Sequence, residues 1–232
     1  MPKLKPNNKK KQEDLTQKAY MGIRHMLFHN EIVAGQKIPF KDLAEMMHMS
    51  STPVIQALKF LEFQGLVRRE PNKGYFIESL SLEEIEEIYK YRELLEVSLL
   101  DETVERFDHK GKEKLQSAYN AYLESLDGVF TNEKLIKDME FHVTLASLSE
   151  QTIRIRSLEH IFDLLHLKYR ASLQYVSVEK SDYAEHGKIF DAVCDKNFDQ
   201  AKKLLSAHIS HVRKHAVLNL SRMIKEKSDF TF

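Results

Sequence analysis

Four side chains in the C-terminal part of this chain could hold a divalent cation between them: Asp138, His142, His186 and His208. Asp138 and His142 are four residues apart, so on a helix they share one face and both can reach one ion. His186 falls early in a helix expected over about 182–195, and His208 lies midway along a last helix expected over about 198–226. Facing helices of a bundle bring such side chains together in a core. Three imidazoles and one carboxylate suit Zn²⁺ by ligand type, and also Ni²⁺, Mn²⁺ or Fe²⁺. With 11 histidines in the chain, spacing alone is a weak guide. His25, His29, His48, His109, His160 and His166 read as ordinary surface or core residues. His211 and His215 continue the His208 face at i+3 and i+7, and either line the same cavity or face solvent or a partner. The single cysteine, Cys194, excludes an intrachain disulfide, fits a reducing cytoplasm and reads as a partly buried helical thiol.

A second chemistry is written nearer the N-terminus, in Leu43–Ile77: LAEMMHMSSTPVIQALKFLEFQGLVRREPNKGYFI. A short helix ends in a polar turn at Ser50-Ser51, an amphipathic helix follows at once, and a glycine leads into two short β-prone runs around a turn. That order predicts a winged helix-turn-helix, whose second helix enters the major groove of DNA. In the helix expected from about Ser51 to Gln64, Val54, Leu58 and Leu61 share the inward face. Ser51, Thr52, Ile55, Gln56 and Lys59 lie on the opposite face. Gln56 could bond an adenine edge, Ile55 touch a thymine methyl, and Ser50, Ser51 and Thr52 hold phosphates or bases. Lys41 and Lys73, the latter at the wing turn, are candidate backbone contacts.

The elements that must position these groups follow from the helix breakers. All five prolines fall at or before Pro71, and beyond Gly74 only Gly111, Gly128 and Gly187 interrupt the chain. An all-helical second domain follows. Ser81-Leu-Glu-Glu84 is a capping box that starts a helix toward Phe107, with Ile85, Ile88, Leu95 and Leu99 at helical spacing. Further helices are expected at about 111–127, 132–149 and 151–177, with Asn197 capping the last one. The expected fold is therefore mainly α: a basic flexible arm over 1–11, a winged helix-turn-helix over 12–78, and an all-helical antiparallel bundle over 79–232.

Size and composition agree with this division. The 232 residues suit one or two domains, and 42% hydrophobic with 30% charged residues is ordinary for a soluble globular protein. Net charge is zero, but residues 1–78 hold 13 Lys+Arg against 8 Asp+Glu, and the remainder 22 against 27, so +5 is balanced by −5. The basic part coincides with the expected DNA reader, as phosphate neutralisation requires. No apolar run reaches membrane-spanning length, and the N-terminal MPKLKPNNKKK lacks the apolar stretch of a signal peptide, so a cytoplasmic protein without a membrane partner is expected.

The chain resembles the GntR family of bacterial transcription regulators through Gly35-Gln-Lys-Ile38, Leu43-Ala44, the run SSTPVIQAL from Ser50 to Leu58, Leu61-Glu62, Gly65-Leu66-Val67 and Gly74. The family's usual run has arginine where Ser51 and Ile55 stand here. The resemblance thus implies an unusual operator, with more weight on Lys41, Gln56 and the lysine arm. Residues 81–222 resemble the FCD ligand-binding domain of the FadR-like branch, through Tyr91-Arg92 to Glu96, Asp138 to His142, Glu185-His186 with Ile189 and Ala192, and Asp199 to His208. Metal-binding members of that branch use an Asp and three His in these motifs, which implies Asp138, His142, His186 and His208 as ligands. The branch often has Asn where Gln151 aligns, and Gln151 is an expected effector contact. The resemblance also sends Arg92 into the ligand cavity to grip a carboxylate in bidentate fashion; the alternative is an exposed i,i+4 salt bridge with Glu96. Tyr169 and Arg170 are further candidates for the cavity wall.

The expectation is a ligand-responsive regulator, a repressor acting as a homodimer on a two-fold symmetric double-stranded DNA operator, sensing a small organic acid or sugar acid. Three alternatives differ in class. One is a metal-dependent hydrolase or lyase using the same Asp/His cluster, which four protein ligands and no obvious extra base disfavour. Another is a helical binding module whose winged helix has lost DNA. The third is a metal-free acyl-type ligand sensor.

Overall fold

The structure, a computed structural model, describes residues 8–29, 31–32, 35–78, 81–127, 132–173 and 180–229. It divides into two compact units, Met1–Ser79 and Leu80–Phe232.

The first unit contains α1 (Asn8–Phe28), β1 (Lys37–Ile38), α2 (Phe40–Met46), α3 (Ser51–Phe63), β2 (Val67–Glu70) and β3 (Gly74–Ile77). The expected arm over 1–11 is shortened by α1. Asn8 to Lys11 are helical, because Lys and Gln are good helix formers and nothing between Asn8 and Phe28 breaks a helix beyond the lone Gly22. Residues 1–7 lie outside the described ones. The turn between α2 and α3 is closed by His48 at φ 52°, with Met49 N–H donating to Ala44 C=O at 2.9 Å. Ser50 is extended and opens α3. Pro53 is tolerated because it sits in the first turn, where its missing N–H has no helical partner. α3 ends in a Schellman motif at Gly65 (φ 72°), with Leu66 N–H donating to Leu61 C=O and Gly65 N–H to Glu62 C=O. The strands form an antiparallel sheet in the order β1-β3-β2, with Arg68 opposite Phe76 and Lys37 opposite the same residue on the other side. Tyr75 and Ile77 point to the core, Gly74 and Phe76 away from it. Val54, Ala57, Leu58 and Leu61 of α3 are fully buried with Ala19 and Ile23 of α1. This is the winged helix-turn-helix, with α1 packed across α3.

The second unit is all helical: α4 (Leu82–Arg106), α5 (His109–Glu124) with a short 3-10 turn (Ser125–Asp127), α6 (Asn132–Ser147), α7 (Thr152–Leu173), α8 (Lys180–Cys194) and α9 (Phe198–Asp229). Ser81 Oγ accepts from Glu84 N–H at 3.0 Å, the N-cap half of the capping box. α5 starts earlier than expected because Asp108 caps it, Oδ1 accepting from Gly111 N–H at 2.7 Å, so Gly111 belongs to the first turn and breaks nothing. Asn197 Oδ1 accepts from Gln200 N–H at 3.3 Å and starts α9. Residues 174–177, expected in the fourth helix of this unit, are outside the described residues. α4 packs against α9, α7 and α6, and α8 packs against α5 and α9. Ile85, Leu99, Leu115, Phe141, Leu158, Ile189, Leu205 and Ile209 build one core that these helices share. Inside it lie polar groups that a core ordinarily rejects. No described helix is long and apolar enough to cross a membrane.

Candidate metal centre and nucleic-acid interface

In the helical unit, α6 contributes Asp138 and His142 from one face, α8 His186 and α9 His208. One ligand atom from each lies within 4.8 Å of the other three. Ligand atoms about 2.1 Å from a tetrahedral ion stand about 3.4 Å apart, so side-chain adjustments of about an ångström bring the set to bonding distance. The three imidazoles are almost wholly buried, at 0, 1 and 2% exposure for His142, His186 and His208, while Asp138 keeps partial access to solvent. His142 and His208 stack with centroids 5.2 Å apart, and His186 meets them edge-on at 5.3 and 4.5 Å.

Two carboxylates stand behind the imidazoles. His142 Nδ1 donates to Glu96 Oε2 at 2.6 Å, and His208 Nδ1 donates to Glu185 Oε2 at 2.8 Å. A proton held on Nδ1 leaves the lone pair on Nε2. Both Nε2 atoms are buried without a hydrogen-bond partner. Buried polar atoms are rarely left so, and here they converge on one point. His186 Nε2 lies 3.1 Å from Asp138 Oδ1. Carboxylate behind imidazole, imidazole lone pair forward, is the arrangement that orients metal-binding histidines. The donor set fits a divalent ion.

The electrostatics keep these groups in ligand form. Burial would raise the Asp138 carboxyl, but contact with His186 and the charges of His142 and Arg92 hold it well below its ordinary value. Burial likewise opposes ionisation of Glu96, and Arg92 with His142 overcomes it, leaving the group at about 2. Burial pushes His142 down against the pull of Glu96. It pushes His208 down to about 3, with help from His186 and against Glu185. Neutral imidazoles and ionised carboxylates are what a cation requires.

Arg92 on α4 is 2% exposed, so its pairing with Glu96 is buried and not the exposed salt bridge of the alternative reading. Its Nε donates to Glu96 Oε1 at 2.5 Å, its Cζ lies 4.6 Å from the Phe162 ring centre, and its Nη2 is buried without a partner. A crevice of about 170 Å³ lined by Glu96, Leu99, Thr103, His142, Leu145 and Leu205, among others, reaches the cluster but is too narrow for a water molecule. Gln151, the expected effector contact, is half-buried. It occupies the turn before α7, its N–H donating to Ser149 Oγ and its C=O accepting from Ile155 N–H. α6 ends at Ser147, beyond His142, so Gln151 stands at the start of the next helix. The side chains of Tyr169 and Arg170 are outside the described ones. His25, His29, His48 and His109 are exposed and are not among the four residues of the cluster. His166 is buried, its Nδ1 near Phe162 C=O and its Nε2 near Leu135 C=O. Glu185 was legible only as the neighbour of His186, and Glu96 only as the i+4 partner of Arg92; their positions behind the histidines appear in the fold alone.

In the first unit, Lys41 on α2, Ser50 and Thr52 at the start of α3, Lys59 on α3 and Lys73 at the wing turn are all exposed, and Ser51 and Ile55 are half-buried. Lys73 Nζ pairs with Glu70 at 3.1 Å while remaining 71% exposed. Gln56, expected to face a base, is half-buried on α3. Thr16 Oγ1 donates to Gln56 Oε1 at 2.8 Å, so α1 engages its carbonyl oxygen. In this way α1 covers the flank of α3 that a helical wheel leaves open. Arg69 on β2 is an exposed cation that the sequence pattern did not single out.

A reading helix with a wing, followed by an all-helical unit with four potential metal ligands in its core, is an architecture of a regulator of transcription. The profile of the FCD domain matches residues 87–211, and that of bacterial regulatory proteins of the gntR family matches residues 15–77. The chain belongs to the GntR family, in its FCD-bearing form; the family and the relatives found are transcriptional regulators, not enzymes. It is 27% identical over 199 residues to the uncharacterized HTH-type transcriptional regulator YdhC of Bacillus subtilis, covering 84% of this chain and 88% of that one. It is 24% identical over 210 residues to the HTH-type transcriptional regulator LutR of the same organism, covering 81% and 94%. Among solved structures it shares its fold with E. coli McbR/YncC, at a TM-score of 0.75, 17% identity and coverage of 92% and 98%.

Proposed function

We propose that this regulator is a homodimeric repressor in the cytoplasm whose helical unit senses a small carboxylate-bearing metabolite beside a metal ion held by Asp138, His142, His186 and His208. The observation that carries the reading is the pair of buried, unpartnered Nε2 atoms of His142 and His208, each backed by a carboxylate on Nδ1. By ligand type zinc ranks first, with nickel, manganese and iron also compatible. When bound, the ion supplies a positive centre with the capacity to take a carboxylate or hydroxyl oxygen of the effector.

The chain's own residues do the rest. Arg92 presents a buried Nη2 with no partner, and a carboxylate effector satisfies it with a charge-assisted hydrogen bond. Glu96 is tied to both Arg92 and His142, so effector contact with the guanidinium is felt at a metal ligand through one carboxylate. An effector that reaches the ion from the solvent side of Asp138 shifts α4 or its neighbours as it meets the Arg92 guanidinium. A ligand that binds the shifted arrangement better moves the population toward it, and differential affinity is the whole source of switching. Lys41, Lys59, Lys73 and the hydroxyls of Ser50, Ser51 and Thr52 make the DNA contacts, largely to phosphates. Homodimerisation is supported by apolar side chains left exposed on α4 and α9: Tyr91 at 47%, Leu94 at 66% and Leu218 at 49%.

The test pairs metal content with DNA binding. His142→Ala should lose the ion and keep DNA binding in the absence of effector, while Lys41→Ala with Lys59→Ala should weaken DNA binding and keep the ion. A His142→Ala protein with unchanged metal content would refute the proposed ligand set.

A further inference from the structure

Beyond the buried cluster, α9 carries His211 and His215, one helical turn apart and half-buried. Their Nε2 atoms face one another at 2.8 Å, with ring centres 4.6 Å apart and planes at 67°. Two nitrogens bound to one ion at about 2.1 Å each stand about 3.0 Å apart when the bonds meet at a right angle. The pair therefore sits a few tenths of an ångström from chelating separation.

The outer pair is oriented from behind as the buried histidines are. His211 Nδ1 donates to Glu185 Oε1 at 3.2 Å, which directs the Nε2 lone pair toward His215. The other oxygen of that carboxylate, Oε2, holds Nδ1 of His208 at 2.8 Å. One carboxylate thus sets the tautomer of a ligand in the buried cluster and of a member of the outer pair. Without an ion, a single N–H between the two Nε2 atoms accounts for their approach. His215 becomes a ligand by moving its own proton from Nε2 to Nδ1, with no change in the pair's net charge.

We propose that His211 and His215 form a second, outer divalent-cation site that shares Glu185 with the buried cluster. Two imidazoles favour Ni²⁺, Cu²⁺ or Zn²⁺ over Mg²⁺ or Ca²⁺ and leave coordination positions for water or an incoming oxygen ligand. This site does not depend on the proposed function of the buried one, and the two fail separately under test.

The full-length protein, stripped of metal, would be titrated with Ni²⁺ at neutral pH by calorimetry. The expected result is two binding events per chain. His215→Ala removes the weaker event and leaves the tighter one; His142→Ala does the reverse. Glu185→Gln weakens both by about 10- to 100-fold, as loss of an orienting partner does. His215→Gln, matched for helical circular dichroism, guards against a folding artefact. A single event in the wild-type protein that His142→Ala abolishes and His215→Ala leaves intact overturns the proposal. So does a second event that survives His215→Ala and His215→Gln, or one removed instead by His29→Ala, which would place it on the exposed His25–His29 pair of α1.

Discussion

At the residue scale, Glu96 does more than its neighbours. It is 3% exposed, accepts from Arg92 on one oxygen and from His142 on the other, and keeps a guanidinium from standing alone in a core. Removing one partner of a buried ion pair leaves an uncompensated charge and costs about 3–5 kcal/mol. Glu96→Ala should therefore lower the unfolding free energy of the metal-free protein by about that amount, measured by urea denaturation, and weaken metal binding by about 10- to 100-fold. A loss under about 1 kcal/mol would mean the pair is not buried as described. The histidines add a pH dependence. The folded protein holds His208 at about 3 against an ordinary 6.5, so as pH falls below 6.5 the unfolded chain takes up a proton that the folded chain refuses. Stability of the metal-free protein is unaffected by this group above that range and is lost progressively below it, by about 2 kcal/mol between about pH 7 and about pH 5. His142, also held down, adds to the loss in this window, and Asp138 adds a further loss only below about pH 4, where the unfolded carboxyl protonates. Thermal melts of metal-free protein at the two pH values check this, and equal midpoints would contradict it.

At the element scale, much was readable from the sequence because each element is locally consistent. The capping box at Ser81, the cap at Asn197 and the Gly65 stop have local causes, and each appears within a few residues of where it was expected. Gly65 requires φ 72°, and a Cβ there would meet nothing within 4 Å, so Gly65→Ala should cost only the left-handed backbone penalty of about 1–2 kcal/mol. A larger loss in thermal or chemical denaturation would point to a packing role the structure does not give it. What the sequence could not show depends on how elements meet. Gln56 lies on the outer face of α3 by periodicity, yet α1 reaches it through Thr16. Gln151 aligns with an effector contact, and its backbone also closes the turn that opens α7. Asp138 and His142 share a face by spacing alone, whereas the carboxylates behind the histidines come from α4 and α8, elements separated from their partners by 46 and 23 residues.

At the scale of the whole molecule, the division of charge matters. The +5 of residues 1–78 accompanies the exposed Lys41, Lys59 and Lys73, and the −5 of the remainder accompanies the helical unit. DNA binding should weaken with salt, and replacing Lys41 and Lys59 together should reduce the log–log salt slope by roughly 2, about 0.9 for each phosphate no longer neutralised. Sedimentation of Leu94→Glu protein should reveal monomers if α4 lies in the dimer interface; an unchanged dimer would move the interface elsewhere. The most direct measurement is elemental analysis of the dialysed full-length protein beside its His142→Ala and His208→Ala variants, all checked for helical circular dichroism. The account predicts a divalent ion retained through dialysis by the wild-type chain and lost from both variants. A wild-type protein that retains none after loading, or folded variants that keep it, would contradict the account at its centre.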